Sequence, residues 1–203
     1  MKQLFAGILV TAQIASVQLA DGRKLLVDDG QITVLKNGKL SVTTKEMRAQ
    51  LASGADRKAA IDFTYNGATK EISRLGNGEV RSQFGLKLRA QDTCNIVYIM
   101  WQFSPKPGIN VSVKRNPGQR THADCLDRGY INIQSRARVA PKPVRVGEFH
   151  RLFARMNDSN LTVTADDIVV WDGDLGPVAL EFDGPAGLRS DNAQVTFYFI
   201  ASK

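Results

Sequence analysis

Apolar and polar residues alternate with a period of two along most of the chain, and Gly, Pro and Asn interrupt the alternation at short intervals. This pattern turns one side of each segment towards a core and the other towards water, which marks strands rather than helices. Gln31 to Lys36 and Lys39 to Thr43 flank Asn37-Gly38, while Ala60 to Tyr65 and Ala68 to Ile72 flank Asn66-Gly67. Asn-Gly is the favoured two-residue hairpin turn, so both stretches are expected to fold as hairpins. Phe84, Leu86 and Leu88 alternate with Gly85, Lys87 and Arg89, and Val111 and Val113 alternate with Asn110, Ser112 and Lys114. Asn95 to Phe103 is almost unbroken in apolar and aromatic residues, as in a central strand covered on both faces. Leu161, Val163 and Ala165 lead to an Asp166-Asp167 turn and then Ile168 to Trp171, and Val195, Phe197 and Phe199 alternate at the end. Thr44 to Ala52 alone has a briefly helical pattern. Pro105 to Gly108 and Val139 to Gly147 are loops, the second long enough to cover a face. The expected fold is all-β, a two-layer antiparallel jelly-roll sandwich with one disulfide.

Composition leaves this picture intact. The chain of 203 residues is 43% hydrophobic and fits one domain. Lys2 followed by an uncharged stretch from Leu4 to Ala20 has the form of an export signal, so residues 1–20 are expected to be a signal peptide and residues 21–203 the sandwich. Val10-Thr11-Ala12 and the Ala20-Asp21 junction offer cleavage points; a first strand over Ile14 to Leu19 is the alternative. Thr11, Gln13, Ser16 and Gln18 dilute the stretch as a membrane span, and no later segment is long and apolar enough to be one. Export implies a secreted or periplasmic protein, where Cys94 and Cys125 would close a disulfide. The enclosed loop of about 30 residues would add about 3 to 4 kcal/mol of stability in the chain-entropy view.

The run from His150 to Arg155, Asn160-Leu161-Thr162-Val163, Ile168 to Asp172, and the segment Gly184-Pro185-Ala186-Gly187-Leu188-Arg189-Ser190-Asp191-Asn192 resemble concanavalin A-like (laminin G-like) jelly rolls. The resemblance covers the last quarter of the chain, and the earlier strands are compatible with it. It implies an architecture in which Gly184 and Gly187 let the last strands approach closely. It does not imply an activity. Glycoside hydrolases of this fold carry a Glu-x-Asp-x-x-Glu-like strand, because two carboxylates must flank the scissile bond. No such spacing occurs here. Arg81-Ser82-Gln83 faintly resembles the strands of polysaccharide lyases, without their Tyr and His partners, and the Gly-x-x-Gly segment has a distant likeness to 3-keto-disaccharide hydrolases.

Charge and isolated polar groups supply the candidate chemistry. The net charge is +7, and eleven lysines and arginines between Lys106 and Arg155 face only Asp124, Asp127 and Glu148. An anionic partner fits this excess, with nucleic acid last for an exported protein; solvated strand faces are the plain alternative. Asn116-Pro117-Gly118 is a turn that would present Lys114, Arg115 and Arg120 around one tip, tied down by the disulfide. Fixed arginines can grip a carboxylate or sulfate, and Trp101, Tyr98 or Tyr130 nearby could stack on a sugar; Trp101 and Tyr98 are equally suited to the core. His122 with Asp124, and Glu148, are the candidates for acid/base catalysis, with a polar loop role the competing reading for His122 and a structural role expected for His150. Asp172 and Asp174 could serve calcium or simply a turn, and no other cofactor is indicated. Three functions stay open: a glycan-binding sandwich whose ligand is neutral or anionic, a polysaccharide hydrolase or lyase, and an envelope module that binds another protein.

Overall fold

The computed structural model describes residues 15–137 and 139–203. Its strands are β1 (Ala15–Gln18), β2 (Lys24–Asp29), β3 (Thr33–Val34), β4 (Leu40–Val42), β5 (Glu46–Leu51), β6 (Lys58–Ala68), β7 (Ser82–Leu88), β8 (Ile96–Ser104) and β9 (Gly108–Lys114). One helical turn, α1 (His122–Cys125), precedes β10 (Tyr130–Ile133), β11 (Phe149–Asn157), β12 (Asn160–Ala165), β13 (Ile168–Asp174), β14 (Gly187–Asp191) and β15 (Ala193–Ser202). They form two antiparallel sheets, one of eight strands in the order β1-β2-β5-β14-β7-β8-β9-β10 and one of seven in the order β13-β12-β11-β6-β15-β4-β3. Apolar side chains from both fill the space between, with Phe63 of β6 lying 5.5 to 5.8 Å from the rings of Phe84, Trp101 and Phe103. The all-β sandwich and the Cys94–Cys125 disulfide, with Cα atoms 5.8 Å apart, are as the sequence pattern indicates. Among the described residues no helix is long and apolar enough to cross a membrane.

Two local expectations are overturned. Thr44 to Ala52 is not helical: β5 buries Met47, Ala49 and Leu51 on one side and leaves Glu46, Arg48 and Gln50 half-buried on the other. Its apolar spacing suits a period of two as well as a short helical turn, and pairing with β2 and β14 decides between them. Asn66-Gly67 does not turn the chain either. It lies inside β6, where the register with β15 shifts between Gln194 and Val195, so Asn66 is the extra residue of a bulge and its amide donates to the Thr196 hydroxyl. Asn37-Gly38, by contrast, joins β3 to β4 as expected, with φ +79° at Gly38.

Ala15–Gln18 pairs with β2 as an edge strand, and Val17 and Leu19 are buried in the core. The remainder of the expected leader, residues 1–14, lies outside the described residues.

The closing segment threads a crowded path. A Cβ at Gly184 would stand 2.5 Å from the Ala90 carbonyl oxygen, and one at Gly187 would stand 2.3 Å from that of Ala49. Glycine is required at both because the obstacles are backbone, which cannot swing aside. Gly187→Ala is therefore expected to destabilise the fold by at least about 2 kcal/mol, read as a lower urea midpoint at unchanged m.

Candidate functional site

The eight-stranded sheet has a second face, turned away from the core, and the period of two sends a different set of side chains there: Arg48 from β5, Gln83 and Lys87 from β7, Tyr98 and Met100 from β8, Asn110, Ser112 and Lys114 from β9, and Arg189 and Asp191 from β14. A solvated face would leave such residues exposed. Here Gln83, Tyr98, Gln102, Arg189 and Asp191 are buried, and Lys87 is 1% exposed. Two loops account for this. The 69–81 loop is pinned by Asn192, whose side chain accepts from the Ser73 N–H and donates to the Ser73 and Arg81 carbonyls. The 115–129 loop is held by the disulfide and by Asn116, which donates to the Cys94 and Arg128 carbonyls. The loops touch above the sheet, since a Cβ at Gly76 would lie 2.4 Å from the Asp127 carboxylate.

Beneath them runs a groove with two cavities that share Tyr98, Asp127 and Tyr130. One, of 460 Å³, is lined by Arg81, Gln83, Asn110, Asn132 and Arg189 among others. The second, of 360 Å³, includes Asp28, Arg48, Lys87, Lys114 and His122. Between them the Tyr98 and Tyr130 rings stack with centroids 5.9 Å apart, the Arg189 guanidinium lies 5.3 Å from the Tyr98 ring, and the Lys114 ammonium lies 5.3 Å from that of Tyr130.

A hydrogen-bonded row orders the first cavity. Arg189 grips both oxygens of Asp191 at 2.8 and 3.2 Å, Gln83 Nε2 donates to Asp191 at 2.6 Å, and Asn110 Nδ2 donates to Gln102 Oε1 at 3.0 Å. The row is incomplete. Six buried side-chain polar atoms among the described residues lack a partner, and three of them are Gln83 Oε1, Gln102 Nε2 and Arg81 Nε. Gln83 and Arg81 line the cavity, and Gln102 stands in register with Gln83, bonded to the lining Asn110. Unmatched buried donors and acceptors are costly, and three of the six lie together beside this cavity.

Burial also reshapes the titrations. Desolvation lowers the Lys87 ammonium to about 7 despite the Asp28 carboxylate, and lowers Lys114 to about 8. It raises the Tyr98 phenol and the Asp28 carboxyl. Burial opposes the charge of Arg189, but Asp191 more than offsets it and keeps the guanidinium firmly protonated. Glu46 loses by burial too, yet the Ser73 hydroxyl and Arg48 outweigh that and hold its carboxyl below the usual range.

The sequence-predicted residues scatter around this groove. Tyr130 is in it, 37% exposed, and so is Tyr98. Trp101 points to the opposite side of β8 and is fully buried against Phe63, so its ring offers no stacking surface. The three tip cations do not converge. Lys114 turns into the second cavity and donates to the Thr93 and Leu126 carbonyls, Arg115 pairs with Glu181 at 2.9 Å, and Arg120 is exposed. Elsewhere in the basic stretch, Arg136 pairs with Asp172 and Arg151 with Asp62. His122 lines the second cavity, whereas Asp124 caps α1 by accepting from the Thr121 N–H and hydroxyl, and Glu148 sits beside His150 in a different cavity. The three acid/base candidates are thus not assembled. His150 packs on Phe63 and Trp101 and meets Asp166 at 2.9 Å. Asp172 is engaged by Arg136 and Asp174 caps the Gly176 N–H; among the described residues no three His, Cys, Asp or Glu side chains are grouped for a metal ion. Gln83 stands out in the sequence only through the Arg81-Ser82-Gln83 likeness, and Lys87, Arg189 and Asp191 do not stand out as site residues, although a charge between two core leucines, as in Leu86-Lys87-Leu88, is the available signal.

Lys87 yields a stability prediction. Its native pKa of about 7 lies below the ordinary 10.5, so below pH 7 the folded state carries the whole cost of a buried charge, and stability rises as pH climbs from about 7 towards 10.5. Lys87→Met should stabilise the fold at pH 6 by about 1 to 4 kcal/mol and by less at pH 9, as thermal unfolding at the two pH values would show.

No family model and no curated protein sequence matches the chain. Among solved structures it is similar to the carbohydrate-binding module CBM66 from Bacillus subtilis, at 15% identity and TM-score 0.60 over 88% of this chain and 93% of that one. It also aligns with CG-16, a homodimeric agglutinin from chicken liver, at 8% identity and TM-score 0.47 over 76% and 99%. A third is a tetrameric galectin from the ball sponge Cinachyrella, at 8% and 0.45 over 78% and 99%. At these identities the likeness to the Bacillus subtilis module shows the fold, a lectin-like β-sandwich that agrees at that level with the concanavalin A-like architecture read from the C-terminal strands.

Proposed function

We propose that this protein is an exported glycan-binding β-sandwich whose site is the groove on the outer face of its eight-stranded sheet. The observation that carries the reading is the polar lining of the first cavity, where Gln83 and Arg81 each keep a buried polar atom without a partner, beside the partly exposed Tyr130 ring. Sugar hydroxyls both donate and accept, so they suit a cavity lined by Gln83, Asn110, Asn132 and Arg81 while the ring's C–H face lies on Tyr130. The cavity is of the size range of small-ligand sites. The likeness to a carbohydrate-binding module agrees with this. The disulfide supports an oxidising compartment, hence secretion or the periplasm. Processing after Ala12 rather than Ala20 fits the burial of Val17 and Leu19, and the intact mass of the exported product would distinguish the two.

Binding on a glycan array, followed by calorimetry on the best ligand, tests the site. Tyr130→Ala and Gln83→Leu should each weaken binding about ten- to a hundredfold with the fold intact. Arg120→Ala should leave it unchanged. Full affinity in the first two variants, or loss in the third, would remove the groove from the account.

A further inference from the structure

We infer that the 360 Å³ cavity beyond the tyrosine pair is a carboxylate subsite, in which the Lys87 ammonium takes the carboxyl group of a uronic acid residue in a glycan lying along the groove. This rests on the glycan reading of the groove and extends it to the class of sugar.

Three cations line that cavity, and the fold explains two of them. Arg48 is engaged by Asp29 and Glu46, and Lys114 gives its protons to the Thr93 and Leu126 carbonyls. Lys87 is different. It stands in β7 between Gly187 of β14 and Tyr98 of β8, with its side chain 1% exposed. Its one ionic partner among the described residues is the Asp28 carboxylate at 3.9 Å, beyond hydrogen-bond length. An ammonium has three N–H donors, and a buried charge is tolerated only when paired and hydrogen-bonded. A hydrophobic residue would satisfy the packing at lower cost, so packing does not explain a lysine here.

Four carboxylates line the cavity, and two of them are accounted for: Asp29 and Glu46 share Arg48, and Glu46 further accepts from Ser73. Asp28 is distant from the ammonium and its ionised form is disfavoured by its own burial, while Asp127 stands against Gly76 where the two cavities meet. A ligand carboxylate would give Lys87 the charge-assisted hydrogen bonds it lacks. Desolvation disfavours the free ammonium, and a carboxylate facing it would offset that cost. Position agrees: Tyr98, Tyr130 and Asp127 line both cavities, so a sugar seated on the partly exposed Tyr130 has its neighbour in the cavity that Lys87 lines.

The test uses calorimetry on the full chain with oligomers of galacturonic, glucuronic and mannuronic acid, each paired with its methyl ester, and a set of neutral oligosaccharides. At least one acid should bind about tenfold more tightly than its ester. Lys87→Met and Lys87→Gln should each lower the acid to the level of the ester and leave the ester within about twofold. Equal affinity of acid and ester in every pair, or a preference that survives both substitutions, overturns the subsite. If neutral sugars still bind and respond to Tyr130→Ala, only the carboxylate subsite falls; if no sugar binds at all, the groove reading falls with it.

Discussion

The structure depends on keeping polar and charged side chains out of water on the outer face of a sheet whose inner face is already a core. Taking ionised groups out of water costs several kcal/mol each unless hydrogen bonds and counter-charges replace the solvent. The row from Arg189 through Asp191 to Gln83 achieves most of this replacement, and the Asn110–Gln102 pair continues it. Where the row stops, Gln83 Oε1, Gln102 Nε2 and Arg81 Nε lack partners beside the first cavity, while the Lys87 ammonium lies in the second. In the proposed reading, the groups left open on this face are those a ligand would satisfy.

The loops that enclose the groove are fixed by local chemistry. Asn192, at φ +53°, holds the 69–81 loop through three backbone contacts, and Asn116 holds the 115–129 loop next to the disulfide. Gly76 gives the close passage at Asp127. Preorganised walls of this kind lower the ordering cost of binding, which matters for a ligand whose individual hydrogen bonds with protein merely exchange for those with water. The disulfide holds the wall rather than the core. Its sulfurs link the start of β8 to α1, away from the aromatic cluster around Phe63.

Much of the fold was legible in the alternation. β8, β9, β12 and β15 lie where the apolar periodicity puts them, because each buries one face, or both in the case of β8, against many neighbours and no local choice competes. The failures are local and physical. In β5 the apolar spacing is ambiguous between periods, and only the partners β2 and β14 settle it. At Asn66-Gly67 the turn chemistry is genuine, but the long pairing of β6 with β15 absorbs it as a bulge. The site was less legible still. Tyr98 and Tyr130 stand out in the sequence, whereas Lys87, Arg189 and Asp191 do not, because their burial depends on loops that close over them from elsewhere in the chain. Trp101 illustrates the limit. One residue of register separates a ring in the groove from a ring in the core, and the near-continuous apolar run of β8 carries no mark of which is which.

The central claim, that the open polar row on the eight-stranded sheet is where a ligand completes the protein, is most directly tested by following side-chain amide resonances in a nitrogen-15 NMR titration with the tightest-binding oligosaccharide. The account predicts saturable shifts at the Gln83, Gln102 and Asn110 amides, with the 115–120 tip and the seven-stranded sheet unmoved. Shifts confined to the tip or to the opposite sheet, with those three amides silent at saturation, would contradict it.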